Sequence, residues 1–175
     1  VDFNGVHFPS DQIGYAAGTG GTIYKSTDGG LNWSAQTSNT TNALQDIYFI
    51  NTTTGFAVGA SGTIRKTTDG GTTWSTQTAA GTSTTTFYEV QFLDANNGYV
   101  VGSGGKMIKT SNGGTTWTSV TSGTTNDIAG LHFTSATTGY FVSTAGLIRK
   151  TTNSGTSFST LTIASTANFT DIVFV

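Results

Sequence analysis

The carboxylates are the first candidates for chemistry in this sequence, because a glycosidase uses two of them to flank the bond that it breaks. Glu89 is the only glutamate among the 175 residues. Three aspartates, Asp46, Asp127 and Asp171, fall at matching starts of predicted strands, which is typical of residues that recur for structural reasons. We therefore predict that the chain contains no catalytic residue.

The two histidines are the next candidates, because imidazole is a common metal ligand. His7 and His132 share one position of a sequence repeat, which Tyr48, Gln91 and Val173 occupy elsewhere. No ligand spacing surrounds them, and the chain has no cysteine. We therefore expect solvated histidines on strand faces, with no metal ion and no cofactor.

A basic column is the strongest candidate for binding. A lysine stands three residues before the Asp or Asn of each of four similar turns, and an arginine precedes that lysine in two of them. The residues are Lys25, Arg65, Lys66, Lys109, Arg149 and Lys150. One interpretation is a patch that receives an anionic partner. We favour the other, in which each lysine lays its stem over a hairpin and offsets the charge of nearby acids or turn carbonyls.

The turns that follow these lysines share one pattern: a hydroxyl residue, then Asp or Asn two positions on, Gly two positions later, and a closing aromatic residue. The four copies are Ser26, Asp28, Gly30, Trp33; Thr67, Asp69, Gly71, Trp74; Thr110, Asn112, Gly114, Trp117; and Thr151, Asn153, Gly155, Phe158. Asp or Asn accepts hydrogen bonds from backbone N–H groups one or two residues on, and Gly adopts a positive φ. The aromatic ring can then pack into the fold. The pattern predicts a pinned hairpin turn.

The spacing of the closing aromatics indicates a repeat array. They lie 41, 43 and 41 residues apart, a period typical of arrays in which each unit is one supersecondary element. Each unit shows four short strand signals: an alternating first strand, a Gly-aromatic pair opening the second, a short third before the turn, and a fourth from the closing aromatic. We predict an all-β, β-propeller-type array of four four-stranded blades, with units at approximately 1–41, 42–84, 85–125 and 126–166.

The end of the sequence repeats the first-strand pattern once more. Phe169, Ile172 and Phe174 stand 41 residues after the apolar residues of the fourth first strand. Residues 167–175 are therefore predicted to form the first strand of a further unit. Such a strand can pair with a missing blade or with another copy of the chain.

Composition excludes several classes of partner. Only 9% of residues are charged and the net charge is −2, so the basic surplus of a nucleic-acid or anionic-membrane binder is absent. No apolar run approaches the ~18 residues that a membrane-spanning helix needs. Charge-poor surfaces rich in Gly, Ser and Thr are common outside cells, so we expect an extracellular or cell-surface location, in a bacterium.

The turn pattern resembles the Asp-box, the bacterial neuraminidase repeat, which in that family joins the third and fourth strands of propeller blades. Asp28 and Asp69 match the family's acid, whereas Asn112 and Asn153 depart from it. The whole unit, from the Gly-Tyr pair to the closing Trp, is similar to repeats of photosystem II assembly and stability factor-like propellers, which also occur in secreted bacterial proteins. This resemblance covers essentially the whole chain and implies a β-propeller.

Three functions follow from these resemblances. The first is a non-catalytic secreted or cell-surface propeller, serving as a structural, adhesion or protein-interaction scaffold. The second is a soluble assembly factor that docks a partner through the basic column. The third, a sialidase-like glycoside hydrolase, implies three substrate-binding arginines, whereas the chain has only Arg65 and Arg149. We favour the first, with a protein, a surface glycan or another copy of the chain as partner.

Overall fold

The structure of the protein is a computed structural model, which describes residues 1–163 and 166–174. Within these residues the chain forms sixteen β-strands and four single-turn 3-10 helices. The strands make four antiparallel sheets of four, and strands consecutive in the chain are neighbours in the sheet. The predicted all-β array of four four-stranded units is confirmed.

The first sheet contains β1 (Phe3–His7), β2 (Gly14–Gly18), β3 (Ile23–Ser26) and β4 (Ser34–Gln36). The second contains β5 (Leu44–Phe49), β6 (Gly55–Gly59), β7 (Ile64–Thr67) and β8 (Ser75–Gln77). The third contains β9 (Phe87–Phe92), β10 (Gly98–Gly102), β11 (Met107–Thr110) and β12 (Thr118–Val120). The fourth contains β13 (Ile128–Phe133), β14 (Gly139–Ser143), β15 (Leu147–Thr151) and β16 (Ser159–Leu161).

A 3-10 helix joins the second and third strands of every sheet, at Thr19–Gly21, Ala60–Gly62, Ser103–Gly105 and Thr144–Gly146. Each is a single turn of three residues. In the part of the chain that the structure describes, no helix has the length and apolar character needed to cross a membrane.

The Gly-aromatic pair that opens each second strand has a packing reason. A Cβ on Gly55 would lie 2.6 Å from the ring of Phe49, and a Cβ on Gly98 would lie 2.7 Å from the ring of Phe92. The ring that ends each first strand therefore lies over a glycine. The second strands β6 and β10 are buried along their whole length, as expected for apolar runs covered on both faces.

The core lies between successive units. The ring of Tyr15 on β2 stacks on Phe49 of the second unit with centroids 3.6 Å apart. The same contact recurs between Phe56 and Phe92 at 4.4 Å and between Tyr99 and Phe133 at 4.3 Å. The first strands lie side by side in chain order, β1 against β5, β5 against β9, and β9 against β13. Each unit therefore buries its apolar surface against its neighbours, as repeat arrays do.

The fourth strand of each unit begins one residue later than predicted. β4 starts at Ser34, and the Trp33 indole lies in the turn and donates from Nε1 to the Gly30 carbonyl at 2.9 Å. The closing aromatic is therefore the last residue of the turn.

Residues 166–174 lie beside β13 outside the four sheets. A Cβ on Gly130 would approach the Asp171 Cα to 2.8 Å, and a Cβ on Gly5 would approach the Asp46 Cα to the same distance. The segment thus lies against β13 as β5 lies against β1. Residues 167–174 are the described part of the strand that was predicted to begin a fifth unit. They do not pair in a β-ladder, because the second strand with which they would pair is missing from the described residues. Val175 lies outside the described residues.

Candidate interaction site

The first turn is pinned by two side chains. The Ser26 hydroxyl accepts from the Gly30 N–H and donates to Asp28 Oδ1, both at 2.8 Å. Asp28 Oδ1 accepts from the Asn32 N–H at 2.9 Å, and Oδ2 accepts from the Asn32 amide at 2.7 Å. These bonds, led by those from Asn32, lower the pKa of Asp28 to about 2. The carboxylate reaches four residues along the chain, instead of the one or two predicted, because Ser26 binds the nearer N–H groups.

The other turns repeat this geometry with one chemical change. Asp69 accepts from the Thr73 hydroxyl at 2.6 Å and from the Thr73 N–H at 2.9 Å, which lowers its pKa to about 2. Asn112 accepts from the Thr116 N–H at 2.9 Å, but its amide nitrogen donates to the Thr116 hydroxyl. Asn153 does the same with Ser157. A hydroxyl partner can donate or accept, so the turn is kept without its negative charge.

The lysines of the basic column bind the turns of the next unit. Lys25 Nζ donates to the Gly70 carbonyl at 2.8 Å, and Lys66 Nζ donates to the Gly113 carbonyl at 2.5 Å. Each ammonium lies 5.5 Å from the centre of an aromatic ring on its own second strand, Tyr15 and Phe56 respectively. Two of the four charges are therefore engaged inside the array.

The other two lysines occupy the same strand position. Lys109 is half-buried and faces Tyr99 across the β10–β11 pairing. Lys150 Nζ lies 5.4 Å from the centre of the Tyr140 ring. The four lysines thus share one strand position, and the ammonium groups of Lys25 and Lys66 bind a turn of the next unit.

The two arginines lie on the opposite face of the third strands. Arg65 donates to the Asn39 carbonyl and the Thr76 hydroxyl, and Arg149 Nη1 donates to the Ser122 carbonyl at 3.2 Å. Neighbouring residues on a strand point to opposite faces, so the structure does not bring the arginines and lysines into one patch. The arginines hold the linkers that lead into β5 and β13.

A column of acids on the first strands was missed by sequence reasoning. Asp46, Glu89 and Asp171 share one repeat position with Gly5 and Gly130, whereas Asp127, grouped with Asp46 and Asp171 above, stands three residues before that position. The apolar and polar residues alternate in the same register in every first strand, and this alignment was the sequence signal that could have revealed the column. The first strands β5, β9 and β13 lie at the edges of their sheets, so alternate N–H groups of these strands, including the one that follows this position, point away from the second strand and have no ladder partner.

The acid of one unit satisfies a backbone N–H of the next. The Val90 N–H donates to Asp46 Oδ2 at 2.9 Å, and the Leu131 N–H donates to Glu89 Oε2 at 2.5 Å. Burial raises the pKa of Asp46. Burial, followed by the charge of Asp46, raises the pKa of Glu89 to about 8. Burial therefore favours the protonated form of Glu89.

His7 also differs from the sequence interpretation. His7 is half-buried, and its Nδ1 accepts from the Phe49 N–H at 3.2 Å, so it joins the first two units. Burial lowers the pKa of His7. Its ring lies 4.6 Å from that of Tyr48. Within residues 1–163 and 166–174, no group of three or more His, Cys, Asp or Glu side chains is arranged to hold a metal ion.

The first strands together line a concave surface. A cavity of about 600 Å³ is bordered by aromatic and amide side chains, among them Phe3, Asn4, Gln45, Tyr88 and Asn168. A second cavity of about 260 Å³ shares Asn4, Gln45 and Tyr88 with it and is bordered by the acid column. The Tyr88 hydroxyl donates to Asp127 Oδ2 at 3.1 Å, which fixes its ring at the cavity. This surface, which we call the first-strand cavity, presents ring faces and amide groups together.

The sequence matches a known family over most of its length. Residues 31–172 match the model of the photosynthesis system II assembly factor YCF48. The chain belongs to this family. Each unit of this chain carries the same turn, lysine and first-strand pattern. A search of curated proteins finds no match to the sequence.

Solved structures show the same fold. A structure described as YCF48 bound to D1 peptide aligns with a TM-score of 0.79 at 16% identity, covering 97% of this chain and 56% of the other. YCF48 from Cyanidioschyzon merolae aligns with a TM-score of 0.77 at 17% identity, covering 99% and 60%. An ancestral GH74 enzyme aligns with a TM-score of 0.77 at 19% identity, covering 93% and 24%. The chain therefore spans a little over half the length of the two YCF48 structures.

Proposed function

We propose that this chain is a non-catalytic protein-interaction module that binds an extended polypeptide segment of a partner protein. The first-strand cavity carries this proposal. Its amide groups suit hydrogen bonds with a peptide backbone, and its aromatic rings suit contact with apolar side chains. A volume of about 600 Å³ is enough for a few residues of an extended peptide.

Membership of the YCF48 family supports a protein partner. A YCF48 protein of this fold has been captured with a D1 peptide, and we extend peptide binding, as a class of activity, to this chain. Of the functions considered from sequence, the assembly-factor alternative fits better than adhesion. We propose that the partner docks at the first-strand cavity and not on the basic column, because Lys25 and Lys66 are already bound to turn carbonyls inside the array.

The proposal that the chain is non-catalytic rests on the positions of its acids. Asp46 and Glu89 each accept a backbone N–H from the next unit, which is a structural use of both carboxyls. The similarity to GH74 enzymes concerns the fold, and one fold can carry unrelated activities. We propose an extracellular or cell-surface location on the grounds of composition, since charged residues make up 9% of the chain.

A peptide array tests the function. The chain is applied to random 12-residue peptides together with the D1 peptide, and the strongest binder is then titrated by calorimetry. We expect Tyr88→Ala to weaken binding about tenfold, which is the effect of losing one aromatic contact of moderate strength. Leu31→Ala is the control, because Leu31 is exposed in a turn and lies outside the cavity. Binding that survives Tyr88→Ala unchanged, or no binding to any peptide, would overturn the proposal.

A further inference from the structure

Linkers join successive units of the array, each running from a fourth strand to the next first strand. They comprise residues 37–43, 78–86 and 121–127. Because consecutive strands of each sheet are antiparallel neighbours, the linkers lie at the same end of the units as the 3-10 helices. The pinned turns lie at the opposite end. We call the end that carries the linkers the linker face.

The linkers have a defined backbone conformation. Each contains a residue with a positive φ: Asn39 at 58°, Gly81 at 69° and Gly123 at 75°. The first linker also packs directly on the 3-10 helix of the unit before it, because a Cβ on Gly21 would overlap the Thr40 carbonyl. Side chains that bind the linkers are therefore held in one geometry.

An arginine binds the first linker and another binds the third. Arg65 donates to the Asn39 carbonyl and to the Thr76 hydroxyl, and Arg149 Nη1 donates to the Ser122 carbonyl at 3.2 Å. These acceptors are neutral. The bonds therefore orient the two guanidinium groups without cancelling their charge.

A lysine takes the same place in the third unit. Ile108 occupies the arginine position there and is buried in the core. Lys106, two residues earlier, places its Nζ 3.8 Å from the position that a Cβ on Gly81 would take. Three successive units thus each set one cation against a linker. We call Arg65, Lys106 and Arg149 the linker cations; the other four basic residues of the sequence are the lysines of the basic column.

Depressions with hydroxyl and amide walls lie beside these cations. One of about 610 Å³ is lined by Ser38 and Arg65 among others, and its counterpart at the third linker, of about 650 Å³, by Ser122 and Asn126. A third, of about 290 Å³, extends from Arg65 to Thr82 of the second linker. Within the described part of the chain, no aromatic side chain lines these three depressions. They differ in this from the first-strand cavity.

We propose that the linker face binds an acidic polysaccharide, with the linker cations pairing with its carboxylates and the depressions receiving its sugar rings. Single fixed charges separated by hydroxyl-lined surface match a polymer in which each charged sugar also carries several hydroxyl groups. Serine and threonine hydroxyls and asparagine amides both donate and accept hydrogen bonds, as sugar hydroxyls do. Weak contacts at successive units add along one polymer, because each contact raises the effective concentration at the next.

Other anionic polymers fit this face less well. Double-stranded DNA carries one negative charge per ~1.7 Å of its axis, whereas the linker face offers one cation per unit and the chain has a net charge of −2. Protein partners gain most of their affinity from aromatic and arginine anchors in well-packed pockets. The first-strand cavity provides aromatic walls of that kind, and the three depressions do not.

Biolayer interferometry of the full chain on immobilised polygalacturonate tests the proposal. We expect binding that is strong at about 0.05 M NaCl and weak at about 0.5 M, because the contacts are between exposed charges. Lys106→Gln should weaken binding about tenfold, the effect of one charge-assisted hydrogen bond. Lys109→Gln is the matched control. It removes the same charge three residues away, on the opposite face of the strand, and should leave the affinity unchanged.

Arg65→Gln and Arg149→Gln should each weaken binding about tenfold as well. If circular dichroism shows that either is unfolded, Arg65→Lys and Arg149→Lys replace them; these keep the charge and should retain binding. Absence of binding to polygalacturonate at low salt would overturn the proposal. Equal losses in Lys106→Gln and Lys109→Gln would overturn it too, because net charge alone would then decide binding. Tighter binding to polyglutamate or to a single-stranded DNA oligonucleotide than to polygalacturonate would show that the class of partner is wrong.

Discussion

The carboxyl group of Glu89 accepts a hydrogen bond from the backbone N–H of Leu131, with 2.5 Å between Oε2 and the nitrogen. The two residues belong to neighbouring units, on β9 and β13. The contact buries Glu89 beside Asp46, whose charge adds to the effect of burial and raises the pKa of Glu89 to about 8. One structural bond between units therefore depends on a carboxyl group that titrates near neutral pH.

Stability should depend on the protonation of Glu89. Its pKa is about 8 in the fold against an ordinary value of 4.5, so folding takes up a proton between these pH values. The free energy of unfolding should fall as pH rises from 4.5 to 8, by an amount on the order of 3 kcal/mol. Urea unfolding at pH 5, 6, 7 and 8 measures this slope.

Glu89→Gln should remove most of that slope, because an amide mimics the protonated acid and can still accept the Leu131 N–H. Asp94→Asn is the control: Asp94 is exposed, and hydrogen bonds led by that from Asn97 lower its pKa, so it does not titrate in this range. A slope that is equal in the wild type and in Glu89→Gln would show that Glu89 is ionised throughout.

The contact between the first and second units should weaken in acid. Nδ1 of His7 accepts from the Phe49 N–H, which requires that nitrogen to be unprotonated. Burial lowers the pKa of His7 from 6.5, so its contribution to stability is complete above pH 6.5 and is lost as pH falls below that value. His7→Gln should abolish this loss, because Gln91 makes the same bond to the Phe133 N–H at 2.9 Å. Thermal unfolding at pH 5 and 7 measures it in a Glu89→Gln background, which removes the opposite pH dependence of Glu89, with His132→Gln as the control that should leave the loss in place.

The stability of the second turn should survive replacement of Asp69 by asparagine but not by alanine. Asn112 shows that the turn can be pinned by an amide with a hydroxyl partner, and Thr73 offers such a hydroxyl to Asp69. Asp69→Asn should therefore keep the thermal midpoint near that of the wild type, and Asp69→Ala should lower it by about 2–4 °C. Calorimetry decides the matter, and equal losses in both variants would contradict this account of the turn.

The contribution of a closing tryptophan to the free energy of unfolding should depend on whether a preceding unit covers it. Trp74 is buried and packs edge-on against Phe49, so Trp74→Ala should cost about 3–5 kcal/mol through the cavity that it leaves. Trp33 packs edge-on against Phe8 but is partly exposed. Trp33→Ala should cost less than half as much in urea unfolding of the monomer. Equal costs would mean that burial between units is not what stabilises the array.

The strands and turns could be predicted from sequence because their causes are local. Alternation places Ile47 and Phe49 on one face of β5, and the Ser26–Asp28 spacing pins a turn within a few residues. The preference for a structural role of the lysines was also open to local reasoning, since two turns lack an acid while keeping the lysine. Their acceptors were not foreseen, because Gly70 lies 45 residues beyond Lys25.

The acid column could not be derived from local pattern in the same way. Asp46 and Glu89 accept hydrogen bonds from N–H groups on the free edges of first strands, 44 and 42 residues further on. Those N–H groups become neighbours of the acids only when the units pack. The missing ladder of residues 167–174 has a similar cause: a first-strand pattern predicts a strand, but a ladder also needs the second strand that pairs with it.

Binding at the first-strand cavity is the central claim, and chemical-shift mapping of the isotopically labelled chain tests it most directly. The strongest peptide from the array is titrated into the protein while backbone amide signals are followed. We predict shifts concentrated at Gln45, Tyr88 and Ala129, which line the cavity. Shifts concentrated at the four turns and the basic column, with the cavity amides unmoved, would contradict the account.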